Sequence, residues 1–369
     1  MVGEAFKRRR ISLAILLAVI ALSGLLLAKL TAKWESENSE LMPLASASLL
    51  LDIVQSDTGF YAVGERGHLL FSTDGKHWQQ ISVPTRSTLT SIAVVGAHIW
   101  AAGHDGVIVH SSDDGKNWTL QRYAPWQPED FDPSNGIPIL DLLFTDERNG
   151  IAVGAFNLML RTDDGGASWR YTPITISEPS TRKSPFEQTT SEEQDWTFSE
   201  DDLELEAESD PHLNAIVRSE SGALLIAGER GALFRSFDDG KVWQRLNFPY
   251  DGSMFGLLTW TEDQVLAFGL RGKIYESSDL GESWSELSTD NTSSLMAGIA
   301  LDDGAAVLVG ADGALLLRAN SASSFQTTTH INRAGETGSL SAVAQSDDDL
   351  ILVGEKGVEH VPLPEQMQR

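Results

Sequence analysis

A four-residue unit, G-x-x-G, recurs along this chain at Gly64–Gly67, Gly103–Gly106, Gly228–Gly231, Gly269–Gly272, Gly310–Gly313 and Gly354–Gly357. A further copy begins at Gly154 and carries Asn157 at the second glycine position. Asparagine is the next residue to tolerate positive φ, so the turn survives the exchange. Short apolar stretches flank each unit, as Ile99–Ala102 and Val107–Val109 flank the second copy. Strand, tight turn and strand make a β-hairpin. Self-similarity of this kind narrows the choice of fold sharply, because each unit must bury its apolar face against the next copy.

A second motif follows the first in register. A tryptophan stands fifteen residues after the first glycine at Trp118, Trp169, Trp243 and Trp284; Trp78 comes one residue early, and Phe325 takes the place in the sixth copy. The intervening pattern is S/T-x-D-x-G-x-x-W, with Asp113, Asp164, Asp238 and Asp279 as its acids and Asp74 in a version shortened by one residue. Asp accepts hydrogen bonds from turn amides, Gly takes the positive φ, and Trp buries a large surface. The pattern resembles the Asp box of BNR-repeat propellers, and these five acids read as structural, because repeated turn residues solve a folding problem.

First-glycine spacings are 39, 51, 74, 41, 41 and 44 residues. A period near 41 is enough for one four-stranded blade, so the expected fold is all-β, a seven-bladed β-propeller over residues 50–364. The last copy ends at Pro362-Leu363-Pro364 with no Asp box, which leaves one blade without an outer strand. Open sheet edges are a liability, so residues 31–49 are expected to be a linker and ring-closing strand, with Trp34–Leu44 completing blade seven.

The N-terminus has its own character. Residues 1–10 form a basic stub with Lys7, Arg8, Arg9 and Arg10, and residues 11–30 are predicted to be a transmembrane signal-anchor helix built on the uncharged run Ile11–Ala28. Eighteen helical residues span roughly 27 Å, close to the hydrocarbon thickness of a bilayer. The cations favour the cytoplasm, which places the propeller in the periplasm on a single-pass inner-membrane anchor. A cleaved signal peptide is the competing reading, with Leu30-Thr31-Ala32 as a cleavage candidate.

From Trp34 onward the chain holds 21 basic and 52 acidic residues, a net charge of −31. Nucleic acid is therefore an unsuitable partner, since polyphosphate affinity needs a basic surface. The absence of cysteine excludes disulfides and thiolate chemistry. The eight histidines are scattered, with no H-E-x-x-H and only His104 and His110 at paired spacing, so no metal and no cofactor is expected.

The anchor, the seven glycine-turn and Asp-box blades and the Trp-bearing segment before blade one together resemble the photosystem II stability/assembly factor-like branch of BNR propellers. The resemblance covers about residues 34–361. It implies a non-enzymatic scaffold that assists an integral-membrane complex. Photosynthetic members look like assembly chaperones for a membrane reaction centre, whereas proteobacterial relatives are often encoded beside RND-type transporters. The acidic insertion departs from the compact photosynthetic pattern, so the reading leans towards an RND-type transporter as partner, with a photosynthetic complex as the alternative.

Propeller strand order puts the G-x-x-G turns and the blade-to-blade connections on one face and the Asp boxes on the other. Both long connections, Arg122–Pro138 with Trp126 and Phe131, and the acidic insertion 172–211 with Trp196, should emerge beside the G-x-x-G turns. Loops of this length are functional or disordered. The residue before the second glycine is basic at Arg66, Arg230, Arg271 and Lys356, giving two cationic pairs on one rim, a candidate docking patch for carboxylates or lipid headgroups. On the family resemblance these positions correspond to an arginine-rich patch. Local pairing with Glu65, Glu229 and Glu355 is the alternative.

No catalytic residue is expected. A sialidase-like glycosidase would need an arginine triad and a Tyr/Glu pair, and the five tyrosines are placed where packing explains Tyr61 and Tyr275. A carbohydrate-binding propeller without catalysis would instead show exposed aromatics such as Trp126 or Trp260.

Overall fold

The stretches on either side of each glycine turn pair as antiparallel strands in the computed structural model, which describes residues 36–128, 131–174, 210–260, 263–347, 349–364 and 367. Blade one shows the scheme: Leu50–Ser56 is innermost, followed outward by Gly59–Gly64, Leu69–Ser72 and Gln79–Ile81. Burial falls from the second strand, where all residues after Gly59 are buried, to exposed outer strands such as Arg170–Tyr171 and Gln326–Thr329. Six sheets of this order have four strands, and the sheet Leu340–Ser346, Asp349–Gly354, Gly357–Pro362 has three. Innermost strands pack against one another in chain order, and Leu340–Ser346 returns to lie on Leu50–Ser56. The ring is closed, an all-β propeller of seven blades. From Asn38 onward the chain is one compact unit.

The two glycines of the turn have different reasons. At the first, contact decides: a Cβ on Gly103 would lie 2.0 Å from the carbonyl oxygen of Thr88, where the innermost strand crosses beneath it. At the second, the backbone is left-handed, as at Gly67 (φ +69°). The preceding residue is left-handed as well, at Arg66, Asp105, Arg230, Arg271 and Asp312, and in the Gly154 copy both Phe156 and Asn157 adopt it. Asn157 at φ +58° therefore does what its substitution for glycine predicts.

The expected ring-closing strand takes a different position. Asn38–Leu44 adds no strand to blade seven; it runs along the outer edge of blade one. Ser39 donates its N–H to Val83 O at 2.9 Å and accepts from Val83 N at Oγ, and Gln80 brackets the next turn through Glu40 O and Met42 N. Arg86 adds a bond to Asn38 O and an ion pair with Glu40 at 3.1 Å. The physical reason is that the outer edge of blade one offers free partners at Gln80, Ser82 and Val83, whereas of this described segment only the short turn Ala45–Ala47 reaches blade seven. There Ser46 O is so close to Gly357 that a Cβ would come within 2.1 Å of it. Ala45 joins Ile351, Val353 and Val358 in the core of that joint.

The basic stub 1–10, the expected membrane helix 11–30 and Trp34 lie outside the described residues, as do 175–209 of the acidic insertion, Trp196 included. Among the described residues no helix is long and apolar enough to cross a membrane.

Candidate functional site

The five Asp boxes are turns between the third and fourth strands, and their side chains serve the turn itself. Asp279 accepts from Ser283 N at 2.9 Å, Ser277 Oγ at 2.7 Å and Ser283 Oγ at 2.6 Å. Ser277 Oγ in turn accepts from Gly281 N, and Trp284 Nε1 donates to Gly281 O at 3.0 Å. Asp74, Asp113, Asp164 and Asp238 accept in the same way from the box hydroxyl and a turn amide, and the tryptophan–glycine bond recurs at Trp78 and Trp118. Such donors favour the ionised form. Asp113 is drawn down to about 2 chiefly by the Asn117 side chain, and Asp164 to about 2 chiefly by the Ser168 hydroxyl. The tryptophans pack between neighbouring blades, with Trp118 among residues of blades one and two and Trp243 wholly buried between blades three and four.

On the opposite face the glycine turns carry the predicted cations. Arg66, Arg230, Arg271 and Lys356 are all exposed. Arg66 and Arg271 stand at left-handed turn tips, while Lys356 pairs with Glu336 at 3.2 Å. Two of the adjacent glutamates are engaged elsewhere: Glu229 with His212, and Glu355 with Ser339 N. The tips between the two cationic pairs are acidic or aromatic. Asp105 and Asp312 accept from Ser87 and Ser293, and Phe156 is 56% exposed with its ring edge against His212.

Both long connections do emerge here. Arg122 Nη1 donates to Gly106 O at 2.6 Å and Ala124 N to Asp105 O, which lays the first connection on the glycine turn of blade two. Asn157 N donates to Pro211 O, fastening the end of the acidic insertion to the turn of blade three. Trp126 is 69% and Phe131 95% exposed. Phe156 thus joins them as a third exposed aromatic on this face. The sequence signal for Phe156 is its position before the second glycine site, where the other six copies carry a charged residue. Trp260, by contrast, is structural: its Nε1 donates to Leu301 O and Ala305 O, and Arg318 lies over its ring.

The centre of the ring holds what sequence reading missed. Each innermost strand shifts register at one point, as between Leu50 and Asp52 or between Leu213 and Ala215. These bulges aim residues into a channel cavity of about 210 Å³. Asp52 accepts from Ile53 N at 2.8 Å and from Ile92 N of blade two at 2.9 Å. Asp141 accepts from Leu142 N, from Ser91 Oγ of blade two and from Ile216 N of blade four. Both carboxylates bridge blades. Burial drives Asp52 up to about 7 and Asp141 up to about 6, against the pull of these N–H donors, and Asp141 adds to the push on Asp52. The equivalent positions elsewhere are Ser91, Ala215, Gly256, Ala297 and Ala342. The described residues lining the cavity include no arginine, tyrosine or glutamate, the types a sialidase-like site would bring together. The signal was Leu51-Asp52-Ile53 and Leu140-Asp141-Leu142 at nearly the same distance before a first glycine.

Seven radial sheets, glycine turns on one face and Asp boxes on the other define a seven-bladed β-propeller of the Asp-box type. The chain belongs to the DUF6242 beta propeller domain family, which matches residues 25–254. Two curated proteins are similar over shorter stretches. The photosystem II assembly protein Ycf48 of Synechococcus sp. (strain JA-2-3B'a(2-13)) is 28% identical over 175 residues, 45% of this chain and 48% of that protein. The photosystem II assembly lipoprotein Ycf48 of Synechococcus sp. (strain CC9902) is 30% identical over 128 residues, 32% of this chain and 35% of that one. The matches span less than half the length of either relative. Among solved structures, YCF48 from Cyanidioschyzon merolae superposes with a TM-score of 0.62 at 16% identity, covering 89% of this chain and 99% of that one. YCF48 bound to D1 peptide gives 0.60 at 17%, covering 90% and 96%. A streptogramin B lyase gives 0.63 at 12%, covering 87% and 95%. At such identities the likeness is one of fold, and the fold alone accommodates both scaffolds and enzymes.

Proposed function

We propose that this chain is a non-enzymatic scaffold that docks an integral-membrane protein through its glycine-turn face and assists the assembly or working of that protein's complex. The observation that carries the reading is one face bearing both the exposed cations Arg66, Arg230, Arg271 and Lys356 and the exposed aromatics Trp126 and Phe131. Aromatic and arginine side chains are the usual anchors of protein interfaces. The similarity to Ycf48 assembly proteins, one of which has been seen with a D1 peptide, supports a polypeptide segment of a membrane protein as the ligand.

The finer parts of the proposal rest on the sequence. Residues 11–30 serve as a retained anchor in the inner membrane, with the propeller in the periplasm. Anchoring raises the local concentration of the docking face beside its partner. Two partners fit that class: an RND-type transporter, favoured by the acidic insertion, and a photosynthetic membrane complex, favoured by the names of the curated relatives.

The test is purification of the tagged full chain from cross-linked, detergent-solubilised membranes, with and without charge reversal by Arg66→Glu, Arg230→Glu and Arg271→Glu. One polytopic protein recovered with the native chain and lost from the reversed variant is the expected result, and its identity separates the two partner classes. Equal recovery from both proteins rejects this face as the docking surface.

A further inference from the structure

The residue that precedes the box Ser or Thr is the last but one of the third strand of its blade and faces the next blade. In blade four it is Arg235, only 4% exposed. Both terminal nitrogens of its guanidinium are held: Nη1 donates to Leu280 O of blade five at 2.9 Å, and Nη2 donates to Gln244 Oε1 at 2.8 Å and pairs with Glu282. Blade three repeats the arginine as Arg161. Its surroundings do not repeat. In the register of the box, Lys241 stands where Glu282 stands, each directly after the box glycine, and Arg170 stands where Gln244 stands, each directly after the box tryptophan. Both side-chain acceptors have become cations.

Arg161 is half-buried, and among the described residues its guanidinium makes no hydrogen bond and no ion pair. It borders a cavity of about 390 Å³ between blades three and four, on the Asp-box face, shared with Arg218 and Lys241. That volume falls within the ~300–1,000 Å³ range of small-molecule sites. Two carboxylates also line it. Asp146 is spent on its own turn, accepting from Arg148 N, Asn149 N and Asn149 Nδ2. Asp239 is exposed and attracts Arg161 only from beyond ion-pair distance. A guanidinium taken from water without an acceptor is costly. Burial accordingly lowers Arg161 from its usual value, and Arg170 adds a repulsive charge that Asp239 and Asp238 counter.

We infer that this cavity binds a small carboxylate anion, whose carboxylate takes against Arg161 and Lys241 the place that Glu282 takes against Arg235. The chain thus carries the template of the bound state in its own next blade. A planar carboxylate suits a guanidinium fork, which is why the in-chain acceptor in blade four is itself a carboxylate. The site lies on the face opposite Arg66, Arg230 and Arg271 and is independent of docking there.

The test is calorimetric titration of the full chain in detergent with succinate, acetate and inorganic phosphate, alongside Lys241→Glu and Arg161→Gln. Saturable binding of a carboxylate is expected, weakened at least tenfold in each variant. Lys241→Glu has a second signature. It gives Arg161 the acceptor that Arg235 already has, so the ligand-free variant should melt at a higher temperature than the native chain. That rise also shows the variant is folded. No saturable binding of any probe, binding unchanged by both variants, or tighter binding of phosphate than of either carboxylate would overturn the assignment.

Discussion

Replacing Asp52 with asparagine should flatten the dependence of stability on pH between about pH 4 and pH 7. In the unfolded chain this carboxyl ionises near 3.8, whereas in the ring it keeps its proton up to about 7. Between those values the folded state binds more protons than the unfolded state, so stability falls as pH rises. The contribution is fully present below about 3.8 and is lost as pH climbs through about 7. At about 1.36 kcal/mol per unit, the shift corresponds to at most ~4 kcal/mol. The bound is generous, because the charge on Asp141 supplies part of the push on Asp52. Asp141 acts in the same direction over a narrower window, up to about 6, and remains in the variant. The box aspartates act the other way: their depressed values give stability that is present above 3.8 and lost only as pH falls towards about 2, outside the interval. Urea unfolding followed by tryptophan fluorescence, run on both proteins at several pH values from 4 to 8, gives the difference directly. The stability of the native chain relative to Asp52→Asn should drop by a few kcal/mol across the interval. Parallel profiles, agreeing within about 0.5 kcal/mol at every pH, would refute the assignment of a raised, proton-holding carboxyl to the channel.

Other perturbations follow from the same structure. Gly103→Ala puts a methyl 2.0 Å from Thr88 O and should cost about 3 kcal/mol or more by chemical denaturation. Glu282→Ala leaves the buried Arg235 without its carboxylate; because Glu282 is itself 58% exposed, the loss should be about 1–3 kcal/mol, less than a fully buried pair would show. Trp100 stacks on Phe144 at 3.6 Å and donates to Gly165 O, so Trp100→Ala should cost about 3–5 kcal/mol in the same assay. Trp126→Ser with Phe131→Ser should leave the melting temperature within about 1 °C, because single exposed side chains contribute little to stability, yet reduce recovery of the membrane partner.

The fold was legible because it is written seven times. Each glycine turn and each box fixes the same local geometry, so a single departure such as Asn157 was read correctly against the other copies. What occurs once was harder. The path of Asn38–Leu44 depends on side-chain hydrogen bonds, accepted and donated by Gln80 and donated by Ser82, that no periodicity announces. The channel carboxylates Asp52 and Asp141 occupy one position of the repeat in only two blades, so they read as ordinary strand acids until the bulges aim them inward. Arg318 shows the same limit. It replaces the box hydroxyl in blade six, and only the structure reveals it buried against Trp260 and Phe325 and bonded to Glu276 at 2.7 Å. The rim cations were legible as charges at turn tips, on the face where the long connections were expected to emerge, and the structure adds the pairing of Lys356 with Glu336.

Face-resolved photocross-linking in native membranes tests the scaffold reading most directly. A photoreactive residue placed at Arg66 or Trp126 reports on the glycine-turn face, and one at Ser168 or Val242 reports on the Asp-box face, where both are exposed or at the rim. Adducts to a single integral-membrane protein from Arg66 and Trp126, with none from Ser168 or Val242, are the expected result. Adducts to such a protein only from the Asp-box positions, or to none from any position, would contradict it.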